Sequence, residues 1–228
     1  MSQSCGAVWI VVAAYNEERV IANVIAGLRH TPHHVVVVDD GSRDSTADAA
    51  ATAGAIVIRH PVNLGQGAAL QTGIKCALLN GADFIVTFDA DGQHRVSDIA
   101  ALIDALRTHQ ADFALGSRFL GTSQSVPPLR RLLLRAATLF TRITTGMKVT
   151  DAHNGLRAMT RRGALAIDLR QNRMAHASEI LEQIATSGLK YVEVPVTIDY
   201  SRYSMAKGQR SGDLFIILLD LFARRLNQ

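Results

Sequence analysis

The sequence predicts an α/β protein built on a mostly parallel sheet with helices on both faces. Three observations carry that expectation. Short apolar runs of strand length recur through the first half of the chain, and amphipathic stretches of helix length separate them. Acidic clusters come directly after the second and the fourth apolar run: Asp39-Asp40-Gly41-Ser42 and Asp89-Ala90-Asp91-Gly92-Gln93. Sheets of this kind bind ligands beyond the carboxyl ends of their strands, so two strands would deliver carboxylates to one edge.

Each element has its own reason. Val8 to Ala14 is a continuous apolar run, the pattern of a strand covered on both faces. A helix is expected from Glu17 to Leu28, then a second buried strand from Val35 to Val38. Asp44 or Ser45 can cap the next helix, which Gly54 ends. Ala55 to Ile58 reads as the third strand, and Asn63-Leu64-Gly65-Gln66-Gly67 opens a helix reaching Leu79. Phe84 to Phe88 is the fourth strand, Val96 to Leu106 a helix, and Phe113 to Gly116 a strand. Pro127-Pro128 then opens a helix to Thr145. On it Arg131, Arg135 and Arg142 form one stripe, with Leu132, Leu133, Leu139, Phe140 and Ile143 on the other side. Leu156 to Met159 reads as a short strand, Ser178 to Ser187 as a helix and Lys190 to Ile198 as a strand. Residues 199 to 211 are polar and rich in Gly, Ser, Lys and Arg, the composition of a mobile loop. The last helix, Asp213 to Leu226, is apolar on nearly all sides until Arg224-Arg225.

The length of 228 residues suits a single domain with a full core. Hydrophobic residues make up 48%, which excludes a disordered chain and an ordinary membrane protein. The net charge of +4 and pI near 9.4 favour anionic partners: phosphates, nucleotides or an anionic membrane surface. Aromatics are only 5% and no basic run is interleaved with stacking residues, so nucleic acid is not the expected partner. Cys5 and Cys76 sit in neither a metal nor a redox spacing, which points to a reducing, cytoplasmic setting. The first five residues lack a basic region leading into an apolar stretch, so no signal peptide is expected. No apolar run reaches the roughly 18–20 residues that span a bilayer.

Asp89-Ala90-Asp91 is the strongest local signal. Two carboxylates one residue apart, just past a buried strand, are costly unless something neutralises them. Mg²⁺ or Mn²⁺ can bridge such carboxylates to a diphosphate, with Gln93 as a further oxygen ligand. For the pair alone, a solvated acidic turn is the other reading. His94 beside it reads as a bystander or a hydrogen-bond partner. Asp39-Asp40 can accept hydrogen bonds from a base or ribose, or simply shape a turn. Gly65-Gln66-Gly67 lacks the third glycine of a dinucleotide fingerprint, since Leu70 stands there, and reads as a helix start. That omission argues against a nicotinamide-dependent oxidoreductase.

The ordered set is more specific than its parts. Ala14-Tyr15-Asn16-Glu17, Asp39-Asp40-Gly41-Ser42, Asn63-Leu64-Gly65-Gln66-Gly67, Asp89-Ala90-Asp91-Gly92-Gln93-His94 and Gly116-Ser117-Arg118-Phe119 occur in the order seen in family two glycosyltransferases. The chain resembles their branch of dolichol- and polyprenyl-phosphate sugar synthases. The resemblance extends through Thr150 to Arg157, Glu193-Val194-Pro195-Val196 and Lys207-Gly208, nearly the whole chain. It implies a GT-A type fold, a nucleotide-diphospho-sugar transferase.

It also implies roles. Tyr15, Glu17, Val38 and Asp40 would hold the nucleoside, with the Ala90 backbone against the donor. Asp89, Asp91 and Gln93 would hold Mg²⁺ or Mn²⁺ on the diphosphate of a UDP- or GDP-sugar. Arg118 would face a phosphate, and Arg202 and Lys207 would close over the donor from the mobile loop. On this view residues 1–117 are the nucleotide-sugar-binding half, 118–211 the acceptor side with its loop, and 212–228 a C-terminal amphipathic or apolar helix. Two departures stand out: Ala14 (or Ala13) replaces the usual proline before Tyr-Asn-Glu, and the Arg202-to-Lys207 loop differs from that of the dolichol-type enzymes.

The acceptor is open at this level. A hydroxyl acceptor needs a carboxylate base, for which Asp151 and Glu179 are candidates. A polyprenyl or dolichyl phosphate is already anionic and needs arginines instead; Arg118, Arg130, Arg131 and Arg135 fit. The resemblance implies direct displacement with inversion. The other readings are transfer to a saccharide in cell-surface polysaccharide synthesis and a non-catalytic nucleotide-sugar-binding subunit. The C-terminal helix is expected to pack on the domain, form a homodimer, or lie peripherally on the inner face of the membrane.

Overall fold

A computed structural model describes residues 6–121, 128–170 and 175–199. In chain order its elements are β1 Val8–Ala14, α1 Ile21–Arg29, β2 His34–Asp39, α2 Thr46–Thr52, β3 Ile56–Arg59, α3 Gln66–Leu79 and β4 Phe84–Asp89. They continue with α4 Asp98–Thr108, β5 Phe113–Ser117, α5 Pro128–Thr145, β6 Arg157–Thr160, α6 Arg161–Leu165, α7 Ala175–Ser187 and β7 Tyr191–Pro195.

The strands form one seven-stranded sheet in the order β3-β2-β1-β4-β6-β5-β7. β1 lies parallel to β2 and β4, β2 to β3, and β5 to β7. β6 alone runs antiparallel, between β4 and β5. That reversal positions the site. The loop entering β6 arrives at the same edge at which β1, β2, β4 and β5 end.

β1 shows why the sheet is central. Ile10 and Val12 pack with Ile21, Ile25 and Leu28 of α1 and Leu102 and Leu106 of α4. Trp9 and Val11 pack on the other face with Ile74 of α3 and Ile180 and Ile184 of α7. Alternate side chains of a strand point to opposite faces, so a run apolar throughout is buried from both sides.

Four differences from the sequence reading have local causes. α1 starts at Ile21 rather than Glu17, because the Glu17 carbonyl first accepts the N–H groups of Val20 and Ile21 in a turn. α4 likewise starts two residues late, at Asp98, after a turn in which its N–H bonds the Arg95 carbonyl. α6 is not expected from the sequence; Thr160 caps it by accepting the Gly163 N–H at 3.1 Å. β7 stops at Pro195 rather than Ile198, and the chain then crosses the cleft edge. There the N–H groups of Val196, Thr197 and Asp199 bond Ser117 O, Asp98 Oδ2 and Gln93 O.

α5 departs most. Its buried side is small and partly polar: Leu134, Ala137, Thr138 and Thr141. The two threonine hydroxyls donate back to the Leu134 and Ala137 carbonyls. Leu132, Leu139 and Ile143 are instead 64%, 58% and 70% exposed, next to the exposed Arg131 and Arg135. No helix among the described residues is long and apolar enough to cross a membrane.

Candidate active site

A cleft of about 550 Å³ runs along the carboxyl edge of the sheet. Crossing it from β2 to β5, the wall is formed by Asp40, by Tyr15 and Glu17 after β1, by Asp89 to Asp91 at the tip of β4, by His153 to Gly155 and Arg157 where β6 begins, and by Arg118 after β5. His176 and Ile180 of α7 close the far side.

The β1–β2 end is locked by backbone bonds. The Asp40 N–H donates to the Ala14 carbonyl. The Asp40 carboxylate accepts the N–H groups of Leu64 and Gly65 at 2.9 and 2.7 Å and meets His60 Nδ1 at 2.8 Å. Asp40 therefore shapes the cleft by pinning the loop before α3. Gly41 allows this packing. Its φ is +71°, and a Cβ there would lie 2.5 Å from the Val62 carbonyl carbon. Glu17 is buried, its N–H bonded to Thr46 Oγ1 at 2.7 Å, while Tyr15 is exposed at the rim. Val38 is fully buried and is not among the cleft-lining residues; its side chain lies against Gly73 of α3.

At the tip of β4, Asp89 Oδ2 lies 2.8 Å from His94 Nε2, and Gln66 Nε2 donates to Oδ1 at 3.4 Å. Burial alone would raise the Asp89 carboxyl, but the His94 hydrogen bond, with the charges of His94, His176 and Arg157, holds it below its usual range. Asp91 behaves oppositely. Burial, then the Asp89 charge, pushes it up to about 6, with Glu17 adding to the rise. Its Oδ1 accepts the Gln93 N–H at 3.1 Å, which leaves the Gln93 side chain on the cleft wall. Such crowded negative charge is what a divalent cation relieves. Among the described residues no three or more His, Cys, Asp or Glu stand together as a ready-made cage. The donor set suits Mg²⁺ or Mn²⁺ held by one or two carboxylates and completed by substrate phosphates. Ala90 is buried between the two aspartates and faces the cleft.

On the β5–β6 side both candidate bases are engaged by the protein itself. Asp151 is buried and off the cleft wall. Its Oδ2 takes Arg118 Nε at 2.6 Å and the Arg118 N–H at 3.1 Å, and its Oδ1 takes the His153 N–H at 3.2 Å. Glu193 braces the same loop, its Oε1 accepting the N–H groups of Thr150 and Asp151. Asp151 is thus a holder of Arg118, which also donates to the His153 carbonyl at 2.9 Å and lines the cleft. Glu179 is buried with its carboxylate on the Arg170 N–H at 3.0 and 3.2 Å, also off the wall. Arg131 is exposed on α5 and does not line the cleft. The Arg130 side chain, Arg202, Lys207 and the final helix lie outside the described residues.

Sequence reasoning gives no individual role to the wall residues His153, Asn154, Arg157 and His176, although the first three lie in the Thr150-to-Arg157 segment. One signal points to them. Arg157 is a charge inside an otherwise apolar strand, which is costly without a purpose. It is buried, and desolvation pulls its pKa down to about 10 against the charges of Asp89 and Asp151. Gly155 lets this loop touch the acidic tip. A Cβ there would overlap the Asp89 carboxylate, and its carbonyl accepts Thr87 Oγ1 at 2.7 Å.

The family model described as glycosyl transferase family 2 matches residues 9–165, which include both acidic clusters and the loop entering β6. The chain belongs to glycosyl transferase family 2. It is 33% identical over 223 residues to a UDP-N-acetylglucosamine–dolichyl-phosphate N-acetylglucosaminyltransferase of Methanococcus voltae, covering 88% of this chain and 89% of that one. It is 30% identical over 211 residues to a polyprenol monophosphomannose synthase of Mycolicibacterium smegmatis, covering 87% and 79%. Among solved structures, glucosyl-3-phosphoglycerate synthase from Mycobacterium tuberculosis, in complex with Mn²⁺, UDP-glucose and phosphoglyceric acid, matches with a TM-score of 0.70. That match has 21% identity and covers 95% of this chain and 79% of that one. The fold is GT-A, and this glycosyltransferase has relatives that act on dolichyl and polyprenyl phosphates.

Proposed function

We infer that this glycosyltransferase moves a hexose from a nucleoside-diphosphate sugar onto a polyprenyl or dolichyl phosphate, inverting the anomeric centre. The observation that carries this reading is the asymmetry of charge along the cleft. Its carboxylates among the described wall residues, Glu17, Asp40, Asp89 and Asp91, all lie on the β1, β2 and β4 side. On the β5, β6 and α7 side the wall offers Arg118 and Arg157, while Asp151 and Glu179 are turned inward to hold Arg118 and a backbone N–H. A hydroxyl acceptor needs a base near the attacking oxygen. A phosphate acceptor is already anionic and needs cations.

Residues up to 117 would carry the donor, with the nucleoside against Tyr15 and the Asp40 loop. Asp89, Asp91 and Gln93 would hold Mg²⁺ or Mn²⁺, which when bound neutralises the diphosphate as it leaves. Asp151 holds Arg118, which would face the phosphate with its cation in place before reaction and so at no cost in reorganisation. Beyond the cleft, Leu132, Leu139 and Ile143 of α5 expose an apolar face beside Arg131 and Arg135. That combination suits peripheral contact with an anionic lipid surface, where such an acceptor resides.

The test supplies the purified protein with radiolabelled UDP- and GDP-sugars, Mn²⁺ or Mg²⁺, and either undecaprenyl phosphate or a saccharide acceptor. Label extracted into organic solvent, lost on adding EDTA, is the expected result. Label on the saccharide alone, or none with any donor, contradicts it.

A further inference from the structure

The wall between β4 and Arg118 contains polar groups that the fold leaves unsatisfied. Both ring nitrogens of His153 and the amide nitrogen of Asn154 are buried without a hydrogen-bond partner among the described residues. Buried polar atoms are almost always paired, because leaving one unpaired costs about 1–3 kcal/mol. Here such atoms belong to two adjacent residues of one loop, and both residues line the cleft. Asn154 is fixed through its other atom: Oδ1 accepts the Leu156 N–H at 3.0 Å, which leaves the amide donors over.

We propose that His153 and Asn154 form the subsite that reads the hydroxyls of the transferred hexose. Three observations set the chemistry. First, the loop lies one strand beyond the acidic tip, since β6 neighbours β4 in the sheet. Strands are spaced by about 4.8 Å, the reach of a ring attached to a diphosphate held over β4. Second, desolvation, against the pull of Asp151, takes the His153 ring down to about 4. It is therefore neutral and offers one donor and one acceptor, a pairing that a hydroxyl completes and a phosphate, which only accepts, does not. Third, Gly155 brings this loop onto Asp89, so a group seated there touches the end of the donor that reacts. The subsite rests on the donor reading given under the proposed function. It adds which side chains select the sugar.

The experiment compares wild type with His153→Leu and Asn154→Ser. Serine can still accept the Leu156 N–H but lacks the amide donors. Calorimetric titration in Mn²⁺ uses UDP, UDP-glucose, UDP-N-acetylglucosamine, GDP and GDP-mannose. Each variant should bind the plain nucleotide as wild type does and the preferred sugar nucleotide about tenfold more weakly, the loss of one hydrogen bond. Ligand-free His153→Leu should melt no lower than wild type, because it removes buried atoms that had no partner. Equal weakening of nucleotide and sugar nucleotide, or no weakening of either, overturns the proposal, as does failure of both variants to fold. Wild type that binds nucleotides but gains nothing from the sugar also sinks the subsite while sparing the nucleotide site. Wild type that binds no nucleotide at all sinks both.

Discussion

Two carboxylates from opposite ends of the cleft, Asp91 and Asp151, are used in opposite ways. At the β1–β4 end, Asp91 lines the wall and is pushed up to about 6 by burial and by Asp89. At the β5–β6 end, Asp151 is sunk below the wall and spent on Arg118. The difference teaches that a carboxylate's position in a motif does not give its job. Asp91, just past the tip of β4, takes the Gln93 N–H and keeps a place on the cleft wall. A group in a loop that must hold an arginine and two turns is consumed by its own chain.

Substitutions sharpen this contrast. The largest effect is expected for Asp151→Ala, which strands Arg118 in a pair whose side chains are 8% and 1% exposed. Removing one partner of a buried pair costs about 3–5 kcal/mol. Urea unfolding should show that loss together with loss of transfer. A variant of native stability that had lost only turnover would restore Asp151 as a base. Asp91→Ala should do the reverse, lowering Mn²⁺-dependent transfer by about a hundredfold or more with the melting temperature unchanged or raised. Turnover near the wild-type level would break the contrast from the other end.

Much of the β1–β4 end is legible in the sequence. Buried strands announce themselves, and the residues just past their last apolar position land at the sheet edge. Asp40, Asp89 and Asp91 reach the cleft wall for this reason. The Val38 side chain lies under α3, because a parallel strand hides its last apolar side chain under a covering helix. The β5–β6 end is less legible. Whether Asp151 and Glu179 face a cleft depends on turns that hydrophobic periodicity does not encode. The outward face of α5 depends on small threonine and alanine contacts, which a leucine-counting pattern overlooks.

Two smaller effects refine the picture. Gly155→Ala drives a methyl group into the Asp89 carboxylate and should cost about 1–3 kcal/mol. Calorimetry should show Mn²⁺ affinity falling with it; an unaltered affinity would mean that the β6 loop and the acidic tip are independent. The smallest effect is a control far from the cleft. Arg162 hydrogen bonds, together with its charge, hold the Asp112 carboxyl below its usual range. A depressed folded value contributes stability above the unfolded value, about 3.9, and loses it as pH falls through the folded value. Wild type should therefore exceed Asp112→Asn in urea midpoint by a constant margin from neutral pH down to that range, and the margin should shrink below it. A margin that grew on acidification would contradict the pairing.

The most direct test of the account is a crystal grown with Mn²⁺ and the preferred nucleoside diphosphate, studied by anomalous scattering at the manganese edge. A manganese peak is expected at the Asp91 carboxylate, beside the diphosphate, with the nucleoside against Tyr15 and the Asp40 loop. A nucleotide bound elsewhere, or bound here with no manganese beside Asp91, would contradict it.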